Sequence, residues 1–231
     1  MWDREYTSYT VRPMQIGILG GTGPAGRALA VRLASVGFET VVGSRAAPRA
    51  AQICEGVLAE WPGQDIPQSG AAPPAAAACE VVVVATPWDA AAATAATVAD
   101  ELAGKVVISM ANALAKMGRE FQPLIPSRGS IATAVQAAVP QALVSAALQH
   151  VPAHDLGDLS QPVDCDVLVC SDHPEATTTT MAIMDKLPGV RALDAGPLSC
   201  ATPVEAFTAV LLHLNVRYKT RVAVRFTGLD L

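Results

Sequence analysis

The chain has 231 residues, of which 51% are hydrophobic and 16% charged, with a formal net charge of −5. Such an apolar balance excludes a disordered chain, and the acidic balance excludes a general nucleic-acid coat, which needs basic excess, so no nucleic-acid partner is expected. The length allows one large domain, or a domain with a smaller lobe.

Residues 1–13 show no apolar periodicity and read as a flexible tail, with Met14 as an alternative start. The polar opening Met1-Trp2-Asp3-Arg4-Glu5 lacks the apolar stretch of a secretory signal, so a cytoplasmic location is expected. A buried strand is predicted over 15–19, then a helix over 24–36 with Leu29, Leu33 and Val36 on one face. A second strand follows over 39–43 and a second helix over 49–61. The Pro- and Gly-rich stretch 62–74 reads as loop, and 75–79 as one helical turn.

The uninterrupted valines of 81–85 suit a central parallel strand, buried on both faces. An Ala-rich helix is predicted over 89–102, a strand over 105–109, a helix over 130–139 and a strand over 142–148. The stretch 129–154 carries no Asp, Glu, Lys or Arg and is long enough to cross a bilayer. Gln136, Pro140, Gln141, Gln149 and two histidines divide it into helix, turn and strand, and no membrane association is expected. Further strands are predicted over 166–170, 190–193 and 221–226, and helices over 175–187 and 203–218. The alternation implies an α/β fold with a doubly wound parallel Rossmann sheet.

Leu19-Gly20-Gly21-Thr22-Gly23-Pro24-Ala25-Gly26 joins the first strand to the first helix. Gly21, Gly23 and Gly26 form G-x-G-x-x-G: the first for a tight turn, the second for close approach of a pyrophosphate, the third for helix–strand packing. Pro24 suits the first helical position, and the free amides there face phosphate. The second strand ends in Val42-Gly43-Ser44-Arg45, with Arg49 a turn later and no acid to hold a ribose hydroxyl. Ser44, Arg45 and Arg49 can bind a 2′-phosphate, which favours NADP over NAD. Thr86-Pro87-Trp88 and Met110-Ala111-Asn112 end the third and fourth strands, where a dinucleotide crevice is lined.

The chain resembles the NADPH-dependent reductases of coenzyme F420, an 8-hydroxy-5-deazaflavin. Gly20-Gly21-Thr22-Gly23, Val42-Gly43-Ser44-Arg45, Thr86-Pro87-Trp88 and His150-Val151-Pro152-Ala153 carry the likeness. So do Leu193-Asp194-Ala195-Gly196-Pro197-Leu198, Val204-Glu205-Ala206 and Leu214-Asn215 with Arg217-Tyr218-Lys219, so that it spans nearly all of 14–231. The resemblance implies an NADP-binding Rossmann domain over 14–150 and a small C-terminal α/β lobe over 151–231, with the deazaflavin in the cleft between them. It implies NADP(H) contacts at Gly21, Thr22, Gly23, Pro24, Ala25, Ser44, Arg45, Arg49, Thr86, Pro87, Ala111, Asn112 and Ala153. It implies deazaflavin contacts at His150, Val151 and Pro152, with Pro197 and Leu198 closing the pocket. The family has a His where Gln149 stands, so no role carries over to Gln149.

Hydride transfer between two ring systems needs orientation and no protein nucleophile, and the sequence carries no evident triad or metal motif. His150 and His154 are spaced like a helical metal pair, but Pro152 between them opposes a helix, and no metal is expected. His173 and His213 read as turn and core residues, and Glu205 as a first-turn acid of the last helix. Two other readings stay open. An NADP-dependent imine or 2-keto acid reductase would need an acid near the nicotinamide, for which Lys116 is the candidate. A non-catalytic NADP-binding sensor would lack a second cleft. The five cysteines, at 54, 79, 165, 170 and 200, form no C-x-x-C and read as buried thiols of a reducing compartment. The last helix is apolar on more than one face, through Val204, Phe207, Val210, Leu211 and Leu214, which calls for a homodimer, as the resemblance also implies.

Overall fold

The computed structural model describes residues 13–229; the tail expected over 1–13 therefore lies, but for Pro13, outside the described residues. β1 (Gln15–Leu19) feeds α1 (Pro24–Ser35), and β2 (Glu39–Gly43) feeds α2 (Ala47–Glu60). β3 (Gln68–Ala71), α3 (Pro73–Ala77) and β4 (Val81–Val84) follow, then α4 (Trp88–Ala96), α5 (Ala99–Leu102) and β5 (Val106–Ser109). An antiparallel hairpin of β6 (Leu114–Met117) and β7 (Glu120–Pro123) precedes α6 (Ile131–Ala138). β8 (Leu143–Ala146), α7 (Ala153–Gly157), β9 (Cys165–Ser171), α8 (Pro174–Met184), β10 (Val190–Asp194) and α9 (Ala201–Tyr218) complete the order.

Outside the hairpin the strands make one 8-stranded sheet in the order β10-β9-β8-β5-β4-β1-β2-β3. This is the expected α/β, Rossmann-like architecture, mostly parallel, with a single antiparallel step where Ser145 of β8 faces Ser171 of β9. Residues 150 and 151, where a division into two lobes was expected, lie in the connection between β8 and β9, and strands from both sides of it share the one sheet. β4 sits at the centre, Val83 lying opposite Ile18 of β1 and Ile108 of β5. Val81 and Val83 enter the apolar layer under α1, while Val82 and Val84 enter the layer under α4 and α6, so both faces of the strand are buried.

The structure corrects four expectations. The loop expected at 62–74 contains β3, an edge strand with no β-branched residue to announce it; at Gly70 a Cβ would fall 2.1 Å from Ala51 N, so α2 packs onto bare backbone. The helix expected over 89–102 is broken: Thr97 Oγ1 donates to Thr94 O at 2.7 Å and Val98 leaves helical geometry, separating α4 from α5. The hairpin and α7 lie where no element was expected. The strand expected over 221–226 is not one: the segment has no strand pairing, and apart from Asp166 N donating to Val224 O at 2.7 Å it is held by side chains instead of a ladder.

Candidate cofactor crevice

The parallel strands β1, β2 and β4 end side by side, at Leu19, Gly43 and Val84. Gly20 makes the turn out of β1 in the left-handed region, with φ +77°, and a Cβ there would lie 2.6 Å from Thr86 Cγ2. The tight turn thus belongs to Gly20, one residue before the fingerprint's first glycine. Gly21 is there because a Cβ would meet Val42 Cγ1 at 2.9 Å, and Gly26 because it would meet Gly21 Cα at 2.8 Å. The third glycine does bring helix and strand together. Gly23 has no such neighbour closer than 3.4 Å, and it stands at the N-cap of α1, where no side chain caps the first amides. They remain open to an anion.

A cavity of about 990 Å³ opens over this turn. Thr22, Gly23 and Pro24 line it from the first turn, Ser44, Arg45 and Arg49 from the β2–α2 connection, and Thr86 and Pro87 from beyond β4. Ala90, Ala93 and Thr94 of α4, with Thr97 just beyond it, add a wall that sequence reasoning missed, because an Ala-rich face carries no binding signal. Arg45 and Arg49 are exposed, and among the described residues neither is in an ion pair. Among the described residues no acid lines the cavity. A smaller cavity of about 310 Å³ shares Gly23, Pro24, Thr86 and Pro87 with it, and continues past Ala25 and Trp88 to Met110, Ala111 and Asn112.

The loop after β8 is tied to this second cavity. Asn112 Nδ2 donates to Gln149 O at 2.8 Å, Thr208 Oγ1 of α9 donates to the same carbonyl at 2.9 Å, and Gln149 Nε2 donates to Ser109 O at 2.9 Å. Leu148, just before, is held at φ +72°, a conformation that costs a leucine energy and persists only when its surroundings fix it. His150 is 4% exposed, and its Nε2 lies 2.7 Å from Asp166 O. A carbonyl only accepts, so Nε2 carries the hydrogen and Nδ1 is the bare acceptor. Burial pushes the His150 pKa down, against the opposing pull of the Asp166 carbonyl and charge, which keeps the ring neutral.

Thr86 Oγ1, Ser109 Oγ, Gln149 Oε1 and His150 Nδ1 are buried without a hydrogen-bond partner. All four sit at or just past the carboxyl ends of β4, β5 and β8. An unmet buried polar atom costs about 1–3 kcal/mol. Their grouping along one edge fits a crevice whose bound ligands supply the missing partners. The remaining orphans, on Thr40 and Gln68, belong to β2 and β3.

The other expected residues fall elsewhere. Ala153 lines a separate cavity of about 560 Å³ with Pro24, Arg27, Trp61 and His154. Val151 and Pro152 are half-buried in the turn that leads from His150 into α7. Pro197 and Leu198 are not brought to the crevice. Because β9 runs against β8 and β10 runs with β9, the chain after Asp194 emerges toward the opposite edge of the sheet. Pro197 borders a cavity with Ser171, Asp172 and Thr177, and Leu198 is buried in the core while its amide donates to Asp172 Oδ1 at 3.0 Å. Lys116 stands exposed on the hairpin, its Nζ 5.9 Å from the Phe121 ring centroid, and lines neither crevice cavity.

Arg32 is a structural anchor that no sequence pattern disclosed. It is 2% exposed, and its guanidinium donates to Leu156 O and Asp155 O at 2.9 Å and to Gln161 O at 3.1 Å. Burial lowers its pKa, and the charge of Asp158 opposes that. The charge on α1 thus ties α7 and its following turn to the nucleotide-binding helix.

A family model described as NADP oxidoreductase, coenzyme F420-dependent, matches residues 15–113. The F420-dependent NADP reductase of Methanocaldococcus jannaschii is 35% identical over 233 residues, covering 94% of this chain and 100% of that protein. The chain belongs to the F420-dependent NADP reductase family. The reductase of Methanothermobacter thermautotrophicus is 36% identical over 225 residues, covering 95% of this chain and 97% of that one. A solved structure of a candidate F420-dependent NADP-reductase from Arthrobacter sp. FB24 superposes with a TM-score of 0.77 at 26% identity, covering 92% of this chain and 100% of its own. No helix among the described residues is long and apolar enough to cross a membrane.

Proposed function

We propose that the protein is an oxidoreductase for hydride transfer between NADP(H) and coenzyme F420. The observation that carries this reading is the cavity over an uncapped helix start, flanked by Ser44, Arg45 and Arg49 with no acid, in a chain of this family. In this reading the amides of Thr22 and Ala25 hold the pyrophosphate, Gly21 and Gly23, whose amides close the turn onto Ile18 O and Gly20 O, let it approach the backbone, and Pro24 fixes the turn. Ser44, Arg45 and Arg49 hold the 2′-phosphate, Thr86 and Pro87 border the adjoining ribose, and Ala111 and Asn112 flank the nicotinamide end. Ala153 closes the far side of α1. His150, Val151 and Pro152 face the deazaflavin.

The two coenzymes supply the hydride chemistry when bound. The chain binds them, aligns their rings and keeps water from the transfer. A thiol carrier is not part of this reading: Cys165 and Cys170 belong to opposite apolar layers of the sheet, and burial pushes both thiols up to about 12. Both coenzymes must therefore be bound together, and initial-rate plots at several fixed concentrations of the second substrate intersect. NADPH deuterated on one face of C4 passes deuterium to the deazaflavin, and the opposite isotopomer does not. Parallel plots, or deuterium lost to water, would remove this mechanism. The reductase of imines or 2-keto acids loses its proton donor with Lys116 on the hairpin, and a sensor has no use for the second cavity.

A cytoplasmic homodimer completes the reading. Phe207 and Val210, three residues apart on α9, are 39% and 48% exposed, an apolar strip that a second copy would cover. Light scattering at micromolar concentration should give twice the mass of the chain, and a monomer mass would refute the dimer.

A further inference from the structure

The carboxylate of Asp166 is fully buried and engages four donors from other parts of the chain. Arg191 Nε and Nη2 reach it at 2.8 and 2.6 Å, Arg225 Nη1 at 2.8 Å and Phe226 N at 2.7 Å. Burial alone would raise its pKa, but the Arg191 guanidinium, the Phe226 amide and the Arg225 guanidinium outweigh it and hold the group well below the usual carboxylate range. The backbone of the same residue faces both ways: Asp166 N donates to Val224 O, and Asp166 O accepts from His150 Nε2.

The donors Arg225 and Phe226 belong to the segment 221–227, which follows α9 after Lys219 at φ +53°. The segment is pinned at both ends. Asn215 Oδ1 accepts from Val222 N at 2.7 Å and Arg221 Nε donates to Asp155 at 2.9 Å, while Arg191 Nη2 donates to Phe226 O at 2.7 Å. Yet its residues are mostly exposed and it forms no ladder, so its hold rests on these few ionic and hydrogen-bonded contacts. Counting back from the pairing of Ala146 with Cys170 along the antiparallel register brings Asp166 opposite His150.

We propose that residues 221–227 form a latch that, through Asp166, holds His150 in the position it takes toward the deazaflavin. Asp166, Arg191 and Arg225 are then positioning residues for the crevice, although none of them lines it. The inference rests on the reading that His150 faces the deazaflavin. With the latch closed, His150 keeps its hydrogen on Nε2 and offers Nδ1 to a ring N–H. With the latch released, Asp166 keeps its pairing with β10 but its amide loses the Val224 acceptor and its carboxylate loses Arg225 and the Phe226 amide, so the carbonyl that fixes the histidine is held from one side only.

Arg225→Gln, His150→Ala and the double variant test this in the full-length protein, with KM measured separately for NADPH and for the deazaflavin. Arg225→Gln should raise the deazaflavin KM about fivefold and leave the NADPH KM unchanged, and it should add nothing in the His150→Ala background, as expected of coupled sites. Asp164→Asn removes only an exposed partner of Arg225 and should move the deazaflavin KM in the same direction by less. An unchanged deazaflavin KM in Arg225→Gln, beside a raised one in His150→Ala, overturns the latch and leaves the reading of His150 standing. An unchanged deazaflavin KM in His150→Ala overturns that reading and the latch with it. Loss of both KM values together, or additive effects in the double variant, would mean general loosening and also overturns the latch.

Discussion

Replacing Arg45 by Ala weakens NADPH binding by about 1.5–3 kcal/mol, the scale of a hydrogen bond to a charged group, and leaves NADH binding nearly unchanged. The guanidinium is exposed and in no ion pair among the described residues, so its removal breaks no internal contact that could disturb the fold. It lines the large cavity beside Ser44 and Arg49. Ser44 is less free, since its Oγ accepts from Ala46 N at 3.2 Å and shapes the turn that presents Arg45. The loss should therefore appear in the cofactor that carries a 2′-phosphate and in no other. It should shrink as salt rises, because an exposed pair is screened. Fluorescence titration of both reduced cofactors against both proteins measures this, and equal loss for NADPH and NADH would remove the 2′-phosphate assignment.

How far the sequence disclosed this site follows from the range of the interactions. β1 and β2 have the bounds their apolar runs predict, and the glycine turn and the Ser44–Arg45 pair are local patterns, so they were legible. The left-handed residue was misassigned by one position because two glycines stand together, and only the packing against Thr86 distinguishes them. Arg32 and its carbonyl acceptors lie up to 129 residues apart, so no spacing rule could join them. The placement of Pro197 and Leu198 away from the crevice cavities has a different cause. β9 is apolar nearly throughout, as a buried strand of either direction would be, so its reversal against β8 is invisible in its periodicity. Once it is reversed, the segment after β10 leaves by the other edge.

Between about pH 4.5 and 7, Glu205 makes the folded protein less stable as pH rises, and Glu205→Gln removes that slope. The sequence suggested an acid serving the start of its own helix; the structure gives it to another. Glu205 is 4% exposed on α9, and its Oε2 and Oε1 accept from Ile131 N at 2.8 Å and Ala132 N at 3.1 Å, the first amides of α6. Ser130 Oγ takes the next, from Thr133 N at 3.0 Å, so the start of α6 is capped jointly from two elements. Burial pushes the Glu205 pKa up to about 7, against the opposing pull of the two amides. A carboxyl that binds its proton more tightly folded than unfolded contributes stability at pH values below its unfolded pKa and loses it as pH rises through 7, by roughly 3 kcal/mol in all. Asp166 titrates only in stronger acid and lies outside this window. His150, lowered by burial, gives a slope of the opposite sign below its ordinary value, so the diagnostic is the difference between the two proteins. Urea unfolding at pH 5 and pH 8 should show wild type losing on that order relative to Glu205→Gln. The same pH dependence in both proteins would mean that Glu205 is ionised throughout, held so by the amides of α6.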